Sequence, residues 1–474
     1  MNSKQLGLCL GLLFVAISCC AQMYTVIDLG TLGGSFSTAA AINASGQVVG
    51  GSYISSDQAS HAFRTAPNSA INPATDDLGT LIGTFSFALG INASGQVVGQ
   101  SLDIQDPHDG RAFRTAPNSP INSSTDDLGT LGGNMSSANG INVNGEVVGT
   151  SVTVTAQFRG FRAAANHPIN PTTDDLGDLG GTPPQSFASG INISGQVVGS
   201  SYVSDGNGHA FRTAPNSPIN PATDDLGTLG GLESSAVAIN AFGQVIGQSS
   251  TSGQLPFHAF RTSANHPINP ATDDLGTLGG TLSSAAGIDS YGEVVGAANL
   301  TGDTAQHAFL YSSGGMLDLN DFISPGSGCE LFGGADINDA GQIAANGNCN
   351  GQQHAVRLDP IYKAFVQPPI NADGSSVFFA RRRVVPVRFS LNQYNAPTCS
   401  LLPATIRLTR TAGGTLGPIA ESTYSVRADR GSNFRIAGCQ YVYNLTAAAL
   451  GFGTYRVDIS INEIMVGHAV FALR

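Results

Sequence analysis

A seven-fold internal repeat is the feature that most constrains this chain. A turn glycine recurs at intervals of 49, 50, 50, 48, 49 and 49 residues, at Gly46, Gly95, Gly145, Gly195, Gly243, Gly292 and Gly341. An Asp-Leu pair precedes the glycine in every copy. An Ala-Phe pair follows it in five copies, whereas the third copy has Gly160-Phe161 and the last has Val356 in place of the phenylalanine. A period of about 20–50 residues is typical of solenoids, propellers and arrays, in which neighbouring copies bury one another's apolar faces.

Each copy reads as short strands. Segments such as 47–50 and 62–65 are brief and apolar or alternating, and they are bounded by Gly, Asn, Ser and Pro. The link 43–46 joins two of them tightly, and its glycine can take the positive φ that such a turn needs. Because no segment has sustained apolar spacing at i, i+3 and i+4, the chain is predicted to be all-β.

Three or four strands per copy suit a blade of a β-propeller, and seven copies predict a seven-bladed one. A β-solenoid is the alternative, although an open stack needs polar caps at its ends and the first copy shows none.

The words DLGTLGG, GINASGQVVG and HAFRT resemble the HAF-type repeats of bacterial secreted proteins across residues 23–359. Arg111 and Gly160 depart from that pattern. The resemblance implies no catalytic residues.

Charge divides the chain near residue 360. Residues 23–359 carry 8 arginines against 28 acids, whereas residues 360–474 carry 12 basic residues against 5 acids. The second segment alternates without repeating, which predicts an immunoglobulin-like β-sandwich. Its words VFFARRRVVPVRFSL resemble the C-terminal PxKF-type modules of secreted bacterial proteins, with Arg388 in place of the usual lysine. The repeats show no basic face, so no nucleic-acid partner is predicted.

Residues 1–22 resemble a secretory signal, with Lys4 before an apolar stretch at 6–17. Cleavage after Ala21 would release a soluble protein. The alternative is a lipobox that makes Cys19 a lipid-modified N-terminus, the only membrane attachment considered. Either processing route predicts a secreted or cell-surface bacterial protein.

Four cysteines lie beyond the signal, and four cysteines allow three connectivities. Pairing within each domain favours Cys329 with Cys349 and Cys399 with Cys439, as an oxidising compartment permits. Zinc is disfavoured because no two of them have C-x₂₋₄-C spacing.

Repeated acids and histidines invite a catalytic or metal-binding interpretation. Adjacent strand residues point to opposite faces, and a residue present in most copies is better explained by architecture. We therefore interpret the aspartate pairs as structural, with the repeat arginines as their partners, and the histidines as packing or turn residues. The aspartate pairs are 76–77, 126–127, 174–175, 224–225 and 273–274; the arginines are Arg64, Arg114, Arg162, Arg212 and Arg261; the histidines are His61, His209, His258 and His307.

The segment between the GQVVG and HAF words varies strongly from copy to copy, whereas the TAPNSPINPATDDLG connector is nearly constant. Variable loops on a rigid scaffold are where recognition usually occurs. The candidate binding residues are Tyr53, Asp57, Asp103, Asp106, His108, Tyr202, Asp205, Asn207, Phe257 and Asp303. Calcium is a further alternative at Asp103, Asp106 and Asp109 and at 205–208, although neither spacing matches an EF-hand loop. No other cofactor is expected.

No nucleophile elbow, P-loop or zinc-protease motif occurs in the chain. The first hypothesis is a non-catalytic binding or scaffold protein, with a glycan, another cell-envelope polymer or a protein as its partner. The alternative is a propeller hydrolase or lyase acting on polysaccharide, which would place acids unique to one or two blades around the central channel.

Overall fold

The computed structural model describes residues 22–103, 106–379, 384–426, 429 and 431–474, without the side chains of residues 106–109. Strands account for 52% of the residues and helices for 3%, which confirms the all-β prediction. Residues 1–21 of the predicted signal segment lie outside the described part. Within the described residues, no helix is long and apolar enough to cross a membrane.

The seven copies fold into seven units, each built on a first, a middle and a third antiparallel strand. Units one to four comprise Gly33–Ile42, Val48–Ile54 and Ser60–Arg64; Phe85–Ile91, Val97–Asp103 and Asp106–Arg114; Gly132–Ile141, Val147–Thr153 and Phe158–Ala163; Ser186–Ile191, Val197–Tyr202 and Gly208–Arg212. Units five to seven comprise Ser234–Ile239, Val245–Ser250 and Phe257–Arg261; Gly279–Ile288, Val294–Leu300 and Gln306–Ser312; Cys329–Ile337, Ile343–Cys349 and Gln352–Pro360. A parallel bridge between Ser60 and Phe85 joins the sheets of units one and two.

In units one to six, the fourth position of the sheet is filled by the next Asp-Leu pair of the sequence. In unit one it is a single bridge between Phe63 and Asp77, and units two to five repeat this arrangement. Unit six has a full fourth strand, Gly315–Asp318. In unit seven the fourth strand is Tyr24–Asp28, which comes from the opposite end of the repeat region. The repeat boundaries read from the sequence are therefore offset by one strand from the structural units.

The apolar cores lie between neighbouring units. Val49 of unit one and Phe113 of unit two share a cluster, and Phe63 of unit one shares another with Ala355 of unit seven. The first strand of each unit contacts that of the next, and the first strand of unit seven contacts that of unit one. Each unit thus buries its faces against two neighbours. The phenylalanine at the Ala-Phe position of units one to six is fully buried in each of them.

Two glycines of the repeat have distinct structural reasons. Gly46 has a φ of 74°, as predicted for the turn between the first and middle strands. Gly50 pairs opposite a bulge in the first strand, between Ala39 and Ala41. A Cβ at Gly50 would lie 1.8 Å from the carbonyl oxygen of Thr38, so no larger residue fits there.

Residues after Ile361 form two five-stranded sheets, here called the C-terminal module. One sheet contains Tyr362–Gln367, Val384–Gln393, Ala396–Thr398, Arg435–Ala437 and Gln440–Thr446. The other contains Ser376–Phe378, Ala404–Ala412, Gly417–Pro418, Gly453–Ile461 and Ile464–Leu473. The short helices of the chain are Thr301–Asp303, Leu319–Phe322, Glu421–Tyr424 and Ala447–Ala449. Residues of both sheets share one core, which continues into units six and seven through Leu310 and Leu331.

Candidate functional site

The turn between the first and middle strands links each unit to the next. The Oδ1 of Asn43 accepts hydrogen bonds from the backbone amides of Ser45 and Gln47, and its Nδ2 donates to the carbonyl oxygen of Asn92 in unit two at 3.2 Å. Asn338 of unit seven donates in the same way to the carbonyl oxygen of Asn43, at 2.9 Å. The equivalent donors in units two to five are Asn92, Asn142, Asn192 and Asn240.

The turns of units one to five line a cavity of about 280 Å³. The side chains most exposed at its rim are apolar, with Val143 at 58% and Ile193 at 51%. The asparagine amides beside them are already committed to neighbouring units. A ligand site usually combines an apolar surface with a few free, convergent polar groups, so this cavity is a poor candidate.

Five repeat histidines each bind the aspartate of an Asp-Leu pair. The Nδ1 of His61 lies 2.9 Å from an Asp77 carboxylate oxygen, and His209, His258, His307 and His354 repeat this contact. Burial alone would raise the pKa of Asp77, but hydrogen bonds from His61 and from the Gly79 amide hold it below its ordinary value. In unit two Arg111 replaces the histidine and pairs with Asp127 at 2.8 Å. Each of these pairs therefore holds the fourth strand of the sheet against the third strand.

The first aspartate of each pair accepts hydrogen bonds from other residues of the connector. Asp76 accepts hydrogen bonds from the Asn72 amide at 2.8 Å and from the Thr75 hydroxyl at 2.9 Å, and the other four copies show the same contacts. The architectural interpretation is consistent with this geometry, but the repeat arginines form no ion pairs with these aspartates and feel only their charge at longer range. Those arginines donate to backbone carbonyls of the following unit, as Arg64 does to Ser119 at 3.0 Å. The others are Arg114, Arg162, Arg212 and Arg261.

Several predicted binding residues serve the loops that contain them. Asp57 accepts from the Ser35 amide at 2.8 Å, and Asp303 accepts from the Thr281 amide and hydroxyl. Asp205 accepts from the Asn207 amide at 3.0 Å. The ring of Tyr53 packs against Phe36, with centroids 5.4 Å apart.

Unit two holds the remaining acidic candidates. Asp103 ends its middle strand and pairs in register with Asp106. The side chains of Asp106, His108 and Asp109 lie outside the described residues. Among the described residues, no group of three or more His, Cys, Asp or Glu side chains is arranged to hold a metal ion.

Two of the predicted residues, Tyr202 and Phe257, meet in one groove between units four and five. The groove has a volume of about 210 Å³, and its lining includes Phe187, Glu233 and Gln248. Phe187, Tyr202 and Phe257 are half-buried, so each ring presents part of its surface to solvent. Phe187 also stacks on Phe158 of unit three, with centroids 6.0 Å apart. Aromatic surface and a few polar groups thus converge at the loop end of the units.

Sequence reasoning missed Phe187 and Glu233 because both precede the variable segment between the GQVVG and HAF words. Phe187 did carry a signal, since the same first-strand position holds threonine or serine in units one, three, five and six. The groove combines this strand residue with loop residues from two units.

Both predicted disulfides are confirmed. Cys329 and Cys349 join the first and middle strands of unit seven, and Cys399 and Cys439 join two segments of the C-terminal module. Disulfides of this kind are typical of proteins that fold in a non-reducing compartment.

Comparison with known proteins assigns no family. No protein-family model matches the chain, and no curated protein matches it significantly.

Proposed function

We propose that this chain is a secreted, non-catalytic glycan-binding scaffold of the HAF-repeat type, in which the groove between units four and five holds the sugar. The observation that carries the proposal is the convergence of Phe187, Tyr202 and Phe257 beside Glu233 and Gln248. The apolar face of a pyranose ring packs on aromatic rings, while its hydroxyls exchange hydrogen bonds with carboxylate and amide groups. Tyrosine and phenylalanine supply such surfaces at low entropic cost.

The scaffold we propose is a seven-bladed β-propeller followed by an immunoglobulin-like module. Two observations support closure of the ring. The N-terminal strand Tyr24–Asp28 pairs with the last unit, and Asn338 donates to Asn43 across the junction of units seven and one. An open solenoid would leave the first and seventh units apart and their end faces exposed.

A binding role is favoured over hydrolysis by the acids of the groove. Most glycoside hydrolases place a pair of carboxylates on either side of the scissile bond. Among the described residues that line the groove, Glu233 is the only carboxylate. The groove is therefore equipped to hold a sugar and lacks the second group that most hydrolysis mechanisms need.

Glycan-array binding of the mature chain, followed by calorimetry on the best ligand, tests the proposal. We expect Tyr202→Ala and Phe257→Ala each to weaken binding by about tenfold or more, since each removes an aromatic contact worth about 1–3 kcal/mol. Tyr53→Ala is the matched control, because Tyr53 occupies the Tyr202 position in unit one, outside the groove. Unchanged affinity in both groove variants would refute the site, and turnover of the glycan would refute the non-catalytic role.

A further inference from the structure

Unit six departs from the other units at two positions of the inter-unit turn. Six units have asparagine at the first position, and five of these have glutamine four residues later. Unit six has acids at both, Asp289 and Glu293. Unit three has one acid, Glu146, which accepts a hydrogen bond from Asn142 at 2.7 Å. Only unit six therefore places two carboxyls where the repeat elsewhere has at least one amide.

The acidic pair is buried and incompletely hydrogen-bonded. Asp289 is 3% exposed and Glu293 is 7% exposed. The Oδ1 of Asp289 accepts from the amides of Tyr291 and Glu293, as the asparagines do in their turns. Among the described residues, the Oδ2 of Asp289 and the Oε1 of Glu293 have no hydrogen-bond partner. An ionised Asp289 cannot make the donation to the next unit that each asparagine makes.

The C-terminal module packs over the turn of unit six. His468, on the strand Ile464–Leu473, packs against the ring of Tyr291, with centroids 4.1 Å apart, and Arg456 lies 6.0 Å from the same ring. Met465, on the same strand as His468, lies close enough to the Glu293 carboxyl for its backbone to lower the pKa of that group. The module is thus part of the low-dielectric environment of these acids.

Charged and titratable groups face the pair from every neighbouring element. They are Tyr24 on the N-terminal strand, Tyr291 in the turn, Asp339 in unit seven, and Arg456, Asp458 and His468 on the module. Arg456 forms an ion pair with Asp458 at 2.7 Å, so its charge is shared with that acid.

These surroundings keep Asp289 and Glu293 protonated at pH values well above those at which carboxyl groups ordinarily ionise. Burial, reinforced by the charge of Asp458 and opposed by the nearby Ser312, Arg456 and Met465, raises the pKa of Glu293 to about 7. Burial and the charge of Glu293 raise the pKa of Asp289 well above its ordinary value. Burial lowers the pKa of His468, which therefore adds little positive charge to offset them near neutral pH.

We propose that the joint between unit six and the C-terminal module is a proton-dependent latch: the module docks tightly when Asp289 and Glu293 are protonated and loosens when they ionise. The docked state binds more protons than the loosened one. Docking is therefore strongest at low pH. The Glu293 contribution weakens it as pH rises above the ordinary Glu pKa of 4.5 and levels off above about 7, and Asp289 acts in the same direction. The inference is independent of whether the groove holds a glycan.

Amide hydrogen exchange on the mature full-length chain tests the latch. After correction for intrinsic exchange rates, we expect protection of the strand Ile464–Leu473 to fall between pH 5 and pH 8. Over this interval Glu293 alone permits a change of up to about 70-fold, given a pKa of 4.5 when exposed and about 7 when docked. Glu293→Gln should remove most of that dependence, and the double variant with Asp289→Asn should remove the rest. Both substitutions introduce residues that other units already hold at these positions.

Glu146→Gln is the matched control, because Glu146 occupies the equivalent position in unit three and already has its partner. It should behave as the wild type. Protection of the wild-type strand that does not change with pH would overturn the latch. So would a Glu293→Gln variant that keeps the full pH dependence, or a Glu146→Gln control that loses it.

Discussion

Each repeat unit has a turn end, where the first and middle strands are joined, and a loop end, where the variable segment joins the middle and third strands. The two ends differ in how many hydrogen bonds their polar groups make. At the turn end, Asn192 has four hydrogen bonds, including one to the carbonyl oxygen of Asn240 in the next unit. The connector that follows the third strand of unit five is hydrogen-bonded to unit four as well. Gln196 donates to Asn265 at 3.1 Å, and Arg212 donates to the His266 carbonyl at 3.0 Å. At the loop end, Tyr202 and Phe257 leave ring surface exposed along a groove.

This difference explains why the connector is nearly constant within the chain and the loops are not. A turn residue must satisfy buried donors and acceptors of two units at once, and leaving either unpaired costs about 1–3 kcal/mol. A loop residue with few contacts can change without that cost. The turn end therefore holds the array together, while the loop end is free to differ in each unit.

The largest test of this contrast compares two phenylalanines. Phe211 is fully buried between units three and four, so Phe211→Ala should lower the free energy of unfolding by about 3–5 kcal/mol. Phe257→Ala, at the loop end, should cost less than about 1 kcal/mol. Urea denaturation monitored by circular dichroism measures both. Equal losses would mean that the groove phenylalanine is a core residue and that the two ends do not differ as described.

A smaller effect is expected from an asparagine of the turn. Asn192→Ala removes four hydrogen bonds and leaves the Asn240 carbonyl without this donor, so we expect a loss of about 2–3 kcal/mol in the same measurement. Asn207→Ala, in the loop of the same unit, is the control and should cost about 0.5 kcal/mol or less. A turn variant as stable as the loop variant would show that the ladder between units contributes nothing.

Much of the fold was predictable because it depends on local, repeated residues. The turn at Gly46 needs a positive φ, and the burial of Phe63 follows from the apolar alternation around it. Both disulfides followed from assigning each cysteine pair to one domain. These inferences needed only residues close in sequence or a domain boundary.

The rest depended on contacts between distant segments. The sequence could not show that Asp77 binds His61 while Arg64 reaches the next unit, because this depends on how adjacent units pack. Likewise, Asp289 and Glu293 are visible as departures from the repeat, but nothing local shows that the C-terminal module covers them. Of the aromatic residues that line the groove, Tyr202 and Phe257 were candidates from the sequence and Phe187 was not.

The smallest expected effect concerns the histidine–aspartate pairs, which are partly exposed. The hydrogen bond to Asp225 raises the pKa of His209, and burial of Asp225 is outweighed by its hydrogen bonds, so the pKa of Asp225 is lowered. The aspartate contribution is lost as pH falls through its lowered pKa, and the histidine contribution is lost as pH rises through its raised pKa. The pair should therefore stabilise most between about pH 4 and 6.5, by about 0.5 kcal/mol.

A double-mutant cycle with His209→Ala and Asp225→Ala, measured at pH 5.5 and pH 8.5, isolates this coupling. We expect the coupling energy to fall at the higher pH, where His209 is neutral. Arg111 and Asp127 provide the control in unit two, because arginine stays charged across this range and their coupling should not change. A His209 coupling that persists at pH 8.5 would mean that the neutral hydrogen bond alone fastens the fourth strand. The histidines would then resemble the asparagines of the turn end, whose hydrogen bonds carry no net charge.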